Sequence, residues 1–522
     1  MVFKNLEYKG KLTQREYYPS NNDGSVKNIA FLIEGEQDVV FDGQGQTFVF
    51  DDEVFPFVLD GCKNVTLKNF NIDYKYPQHL EGDIVEVGSD YFLLKMREGF
   101  PAKTINGEFQ SLASKEPSLH GRLFCQEFDP VRKAPYAGSN HMFIQCLKSS
   151  DEEVAEMYDI PAFLSERNGC LEFKLKEGFK GKFEVHLGGR LILTLKDRRY
   201  SGIFINECQN VSVENVNIYR CPSMGIIYQL SKDVTVKDVN VKIKDGREDL
   251  LSINADATHF VNCSGLVKVI DSSFYNMMDD GCNIHGIYGQ IDKVNENKLT
   301  VSLMHFQQKG VKYIKEGDEI IFVSSKDYSQ KGRATVEKSI LSDDKNSISV
   351  WIKDLIGEVE EGFVVDNISA MPEVYVSGCK TGNNRPRGFL LTSVKPMLIE
   401  NCLFENMLCG IHVTSDARDW FESGKVNGLI IRNNEFRGCN FSGLNAAIVI
   451  NPSCDEEGAY VHKNITVENN VMKTYGFGLV YAKGVDGLVI RGNKSSKIYS
   501  KRVPETNFPL IEINNCKNVA IG

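Results

Sequence analysis

The sequence predicts an all-β protein, a right-handed parallel β-helix interrupted by two inserted antiparallel β-barrel or sandwich subdomains. Three observations carry this. A short strand–turn–strand phrase recurs along the chain, its closest copies are only 23 residues apart, and the turns are built on Asn, Asp and Gly, with 44 Gly against 15 Pro overall. A unit that short cannot bury its own apolar face and must stack on its neighbours. Asn and Gly supply the left-handed backbone that each corner needs.

The elements follow in order. Residues 1–76 carry Val65-Thr-Leu-Lys-Asn-Phe-Asn-Ile, the first copy of the phrase. Residues 196–287 carry three more, beginning at Val211, Val234 and Val267, and residues 369–522 carry copies beginning at Leu398, Leu429, Ile465 and Leu488, closing on Asn518-Val-Ala-Ile. These three stretches are assigned to the helix. Between them, 77–195 and 288–368 lose the repeat and show alternating strands such as Asp83-Ile-Val-Glu-Val and Lys298-Leu-Thr-Val-Ser-Leu, the pattern of small antiparallel sheets. One helical stretch is expected near Asp151 to Glu166.

Composition narrows the function. The 522 residues hold 60 Lys+Arg and 70 Asp+Glu, a net charge of −10 without a basic block, which argues against nucleic acid as partner. No apolar run reaches the length of a membrane span. Fourteen cysteines occur without any CxxC pair; Cys62, Cys208, Cys263 and Cys516 each precede a repeat strand, as stacked, buried thiols would. The start, Met1-Val-Phe-Lys-Asn-Leu-Glu, lacks the features of an export signal. The protein is therefore either exported with its signal absent from this sequence, the favoured reading, or cytoplasmic.

One stretch concentrates polar groups: Asn254-Ala-Asp256-Ala-Thr-His259, then Asp279-Asp280-Gly-Cys-Asn-Ile-His285-Gly. Asp256 and Asp279 are 23 residues apart, the length of one short coil, so three carboxylates are expected on one face of the solenoid. Crowded carboxylates separate their pKa values, which is what general acid and general base need, and the cluster reads as a glycoside-hydrolysis site. The alternative is that the Asp residues decorate turns or bind a cation.

The chain resembles glycoside hydrolase family 110, α-1,3-galactosidases acting on blood-group-B-type and linear Galα1-3Gal glycans. The resemblance rests on Ala255-Asp-Ala-Thr-His, Asp279-Asp-Gly-Cys-Asn-Ile-His-Gly, Tyr200-Ser-Gly-Ile-Phe-Ile, Met224-Gly-Ile-Ile-Tyr-Gln, Arg385-Pro-Arg-Gly and Trp420-Phe-Glu-Ser-Gly. More distantly it is similar to polygalacturonases, but it lacks their Arg-Ile-Lys motif. The resemblance implies an exo-acting hydrolase that inverts at the anomeric carbon, with no metal or other cofactor. Asp279 is then the general acid, while Asp256 and Asp280 activate water. His259, His285, Arg387, Trp420, Glu422 and Asn254 are the expected substrate-binding residues. For His259 and His285 the choice lies between sugar hydroxyls, orienting a carboxylate and a structural role. Arg385 is read as a solvated turn. The partner is an oligosaccharide or glycoconjugate ending in galactose, and a homodimer is possible. Galacturonate or N-acetylgalactosamine as the sugar, and a noncatalytic carbohydrate-binding β-helix, are the competing readings.

Overall fold

The computed structural model describes all residues except 1–4, 52–53, 140, 150–151, 155–158, 180–183, 195–197 and 443–445. The repeat phrases stack as parallel strands. Val65, Val211, Val234 and Val267 are consecutive in register, as are Leu429, Ile465, Leu488 and Val519. The Leu398 unit is offset by one: Met397, not Leu398, lies beside Leu429. One residue of offset changes which side chains point inward, and Met397 is buried whereas Leu398 is half-buried. These strands belong to an 18-stranded sheet that faces a second sheet of 13 strands.

Corners are held as the composition implied. Asn64, Asn210 and Asp233 have φ of 53°, 52° and 55°, and the amide of Asn210 donates to Asn64 Oδ1 at 2.9 Å, linking one coil to the next. Buried Asn434 and Asn470 and half-buried Asn493 form a ladder with 3.0 Å bonds. Each buried amide satisfies its neighbour, which removes the cost of burying it. All fourteen cysteines are free thiols; Cys62, Cys208 and Cys263 are buried and Cys516 is half-buried.

The second sheet carries the site. Its central strands are β1 (Ile203–Asn206), β2 (Ile226–Gln229), β3 (Thr258–Val261), β4 (Cys282–Ile287), β5 (Phe389–Leu391) and β6 (Ile411–Val413), in parallel and in this order. The residue just before β5 is Gly388, where a Cβ would lie 2.3 Å from the Gly410 carbonyl oxygen. Its φ is not positive, so the glycine is required by the close approach of the next coil rather than by a left-handed turn.

Strands between His79 and Thr194 form an eight-stranded sheet in which Arg122–Asp129 also pairs with Arg190–Thr194, closing it on itself. Strands between Gly289 and Asn367 form a closed antiparallel barrel. No α-helix occurs among the described residues. The expected helix near Asp151 is overturned: Asp159–Arg167 is a strand, paired with Met142–Leu147 and Cys170–Leu175, and residues 151 and 155–158 lie outside the described residues. Its alternation of Ile160, Ala162 and Leu164 toward the barrel core outweighs the helix-forming Glu and Leu content of the segment. No described helix is long and apolar enough to cross a membrane.

Candidate active site

The three aspartates converge just before β3 and β4. The coil neighbour of Asp256 is Asp280, not Asp279: β3 pairs with β4 at an offset of 24, Thr258 beside Cys282. Asp280 N–H donates to Asp256 Oδ1 at 3.2 Å, and Ala257 N–H to the Asp280 carbonyl at 2.9 Å. Asp279 is one residue further out. One carboxylate oxygen from each of the three lies within 4.8 Å of the others, and all three residues are buried.

Arginines compensate them. Register places Arg387, two residues ahead of β5, beside Asp280, whose Oδ1 accepts from Arg387 Nε at 2.9 Å and Arg387 N at 3.2 Å. Arg198, just after the first insertion, donates through Nη2 to Asp279 Oδ2. Arg385 is no solvated turn. Its side chain is mostly buried, Nε donates to the Met278 carbonyl at 3.2 Å, and Nη2 lies 3.9 Å from Asp279.

Burial pushes Asp256 up to about 8, reinforced by Asp279 and opposed by Arg198. Burial likewise pushes Asp280 up to about 8, against Arg387. For Asp279 burial acts in the same direction, but Arg198, Arg385 and Arg387 outweigh it and hold the carboxyl below its usual range. At neutral pH the trio therefore keeps at least one proton, away from Asp279. The three oxygens could ligate a divalent cation, but it would have to displace the guanidinium groups already bonded to Asp279 and Asp280.

Two connected cavities open at this point. The inner one, about 230 Å³, is lined by Asp256, Asp279, Asp280, Arg387, Trp420 and Glu422. The outer one, about 1260 Å³, lies between the two inserted barrels, with Phe124 and Phe143 from the first and Phe306 from the second. Asp279, Arg198, Arg387 and Trp420 line both. The exposed Trp420 ring lies 4.5 Å from the His305 ring at this mouth. Glu422 is fixed by the pairing of Glu422–Ser423 with the end of β4 and by the Asn21 amide at 2.8 Å.

Of the other expected substrate contacts, Asn254 lines only the outer cavity, its Nδ2 donating to the Gln78 carbonyl at 2.7 Å. His259 and His285 line neither cavity; both are buried behind Asp256. Several lining residues had no role from sequence, among them Arg198, Asn283 and His412. Asn283 and His412 occupy equivalent positions on β4 and β6 with Leu390 of β5 between them. Asn283 Oδ1 and both ring nitrogens of His412 are buried without a hydrogen-bond partner, which leaves unmet hydrogen-bonding capacity at the inner cavity. Asn283 lay inside the Asp-Asp-Gly motif and was readable there; His412 sits in an ordinary-looking strand and gave no signal.

Residues 298–349 match the family model described as GLAA-B beta-barrel domain II, and residues 328–495 match a right handed beta helix region. An Alpha-1,3-galactosidase A of Shewanella woodyi is 30% identical over 511 residues, 96% of this chain and 80% of that protein. Alpha-1,3-galactosidases B and A of Bacteroides thetaiotaomicron are 27% and 28% identical over 98% of this chain, covering 82% and 88% of their own lengths. With near-complete coverage at this identity, and a second barrel that matches the family's own, the chain belongs to glycoside hydrolase family 110, the family of the α-1,3-galactosidases.

Proposed function

We propose that the protein is an exo-acting α-1,3-galactosidase that removes the terminal galactose of Galα1-3Gal ends, linear or of blood-group-B type, by single displacement with inversion. The observation that carries this reading is the position of Asp279. Alone among the three aspartates it lines both cavities, so it stands where the oxygen joining an inner sugar to an outer one would lie. An inner chamber of about 230 Å³ suits one hexose and the outer chamber the remainder of the glycan, an exo arrangement. The clustered aspartates are also what a noncatalytic carbohydrate-binding helix does not call for.

Asp279 is the general acid and Asp280 the base that takes a proton from water. In the free site Arg198 keeps Asp279 ionised. An entering sugar oxygen displaces that guanidinium, the carboxyl rises and takes up a proton, and it can then protonate the leaving oxygen. Asp280 keeps Arg387 and stays the more easily ionised of the two raised carboxyls. The sign of a test follows. Arg198→Ala removes the largest force holding Asp279 low, so the alkaline limb of kcat/KM, set by loss of the acid's proton, moves to higher pH by about one unit. An unmoved limb would separate Arg198 from the acid.

A second reading, retention, is favoured by one observation: oxygens within 4.8 Å are nearer to the roughly 5 to 5.5 Å spacing of retaining glycosidases than to the 6.5 to 9.5 Å of inverting ones. NMR of the first sugar released from Galα1-3Gal decides between them. β-Galactose is the expected product; α-galactose would replace inversion by retention, and no galactose from either the linear disaccharide or the B trisaccharide would overturn the activity itself.

A further inference from the structure

The two buried histidines behind the trio have their proton positions fixed by geometry. His285 Nδ1 lies 2.7 Å from the Gly286 carbonyl oxygen, which can only accept, so Nδ1 carries a hydrogen. Burial holds His285 below its usual pKa, so the ring is neutral and Nε2 is an acceptor. His259 Nε2 lies 3.0 Å from that atom and must therefore donate to it. That leaves His259 Nδ1, in a ring whose pKa burial lowers to about 4, as a bare lone pair facing Asp256 Oδ2 at 2.8 Å. Two acceptors cannot face each other at that distance without a proton between them, and the carboxyl is the group that holds it.

We propose that His259 and His285 are positioning residues that keep Asp256 protonated, its proton turned away from the cavity toward His259. The remaining Asp256 oxygen, Oδ1, is occupied by the Asp280 N–H. With Asp256 uncharged, the negative charge the trio can carry is confined to Asp279 and Asp280, the two carboxyls bonded to guanidinium groups, Arg198 and Arg387, with Arg385 3.9 Å from Asp279. Asp256 becomes an uncharged spacer that brings no third negative charge to the site. The other charged groups facing the histidines are Glu422, whose Oε1 lies 3.5 Å from His285 Nε2, too far to compete with the 3.0 Å bond to His259, and Arg198, whose charge also disfavours an imidazolium at His259. Asp279 faces the pair from beyond Asp256.

The inference rests on the galactosidase reading for its consequence but not for its test. In protein labelled with ¹⁵N-histidine, with signals assigned by His259→Gln and His285→Gln, His259 should carry its hydrogen on Nε2 and His285 on Nδ1, with neither ring an imidazolium near neutral pH. Reversed tautomers, or an imidazolium at either ring near neutral pH, would overturn the proposal whether or not the protein cleaves galactosides. The second arm uses His259→Asn. Its amide can donate to Asp256 and so favour the carboxylate, lowering the Asp256 pKa. The protonated form is then lost earlier as pH rises, and the alkaline limb of kcat moves to lower pH by about one unit with KM little changed. A merely structural histidine would lower activity equally at all pH values. Unchanged tautomers with no galactoside cleavage would instead refute the galactosidase reading alone.

Discussion

Asp279→Asn lowers kcat on Galα1-3Gal by about a thousandfold while KM changes little, because the amide keeps the shape of the side chain but has no proton to give. Galactose release is the measurement. The same variant tested on α-galactosyl fluoride loses far less, about tenfold or under, since fluoride departs without protonation and the reaction no longer needs an acid. Equal losses on both substrates would move Asp279 from proton donor to some other role. Equal and complete activity of the variant on the disaccharide would remove it from the chemistry altogether, as the noncatalytic reading requires. The contrast between substrates is the informative part, because loss of the Arg198 partner affects both alike.

Phe404→Ala destabilises the protein by about 3 to 5 kcal/mol, a large share of the roughly 5 to 15 kcal/mol that keeps a domain folded. The Phe404 ring stacks on Phe436 of the next coil with centroids 4.9 Å apart and meets Phe389 of the facing sheet edge-on at 5.0 Å, all three rings fully buried. Truncating the middle ring leaves a void that the tightly spaced coils cannot close. Just above it, a Cβ at Gly388 would meet Phe404 Cδ1 at 2.7 Å, so β5 rests directly on this ring. Arg387 precedes Gly388, and activity is therefore expected to fail at a lower temperature than in the parent protein. Equilibrium denaturation by urea gives the stability difference; Val519→Ala, at a partly exposed end-strand position, should cost under about 1 kcal/mol and serves as control. A similar cost for both variants would mean that the buried Phe404 ring stabilises the coil no more than the exposed Val519 side chain does.

The repeat was legible because a solenoid writes its geometry into the sequence. Val65, Val211, Val234 and Val267 must point inward at the same place on successive coils, and their left-handed corners select Asn, Asp and Gly. The carboxylate cluster was legible for the same reason, since residues one coil apart in sequence are neighbours in space. The limit of that rule is visible at Asp279 and Asp280. Counting 23 residues pairs Asp256 with Asp279, whereas the ladder pairs it with Asp280 at 24. Coil length varies by a residue or more, and only the hydrogen-bond register settles which aspartate is stacked and which stands at the cavity mouth.

By itself, then, the sequence determined the stacked all-β architecture, the two interruptions and the residues that could carry acid–base chemistry, because each is specified by local pattern or by a fixed repeat distance. Tertiary structure alone decided their electrical surroundings. Arg198 comes from just after one insertion, and Arg387 reaches Asp280 only because β5 follows the second insertion back into register. Of the choices the sequence left open, His259 lies against Asp256 with His285 bonded behind it, and His412 emerged as a cavity residue, because side-chain direction and burial depend on which face of the sheet a coil presents. A carboxyl's affinity for its proton depends on charges a few ångströms away and on exclusion of water. Neither quantity is carried by the order of residues along the chain.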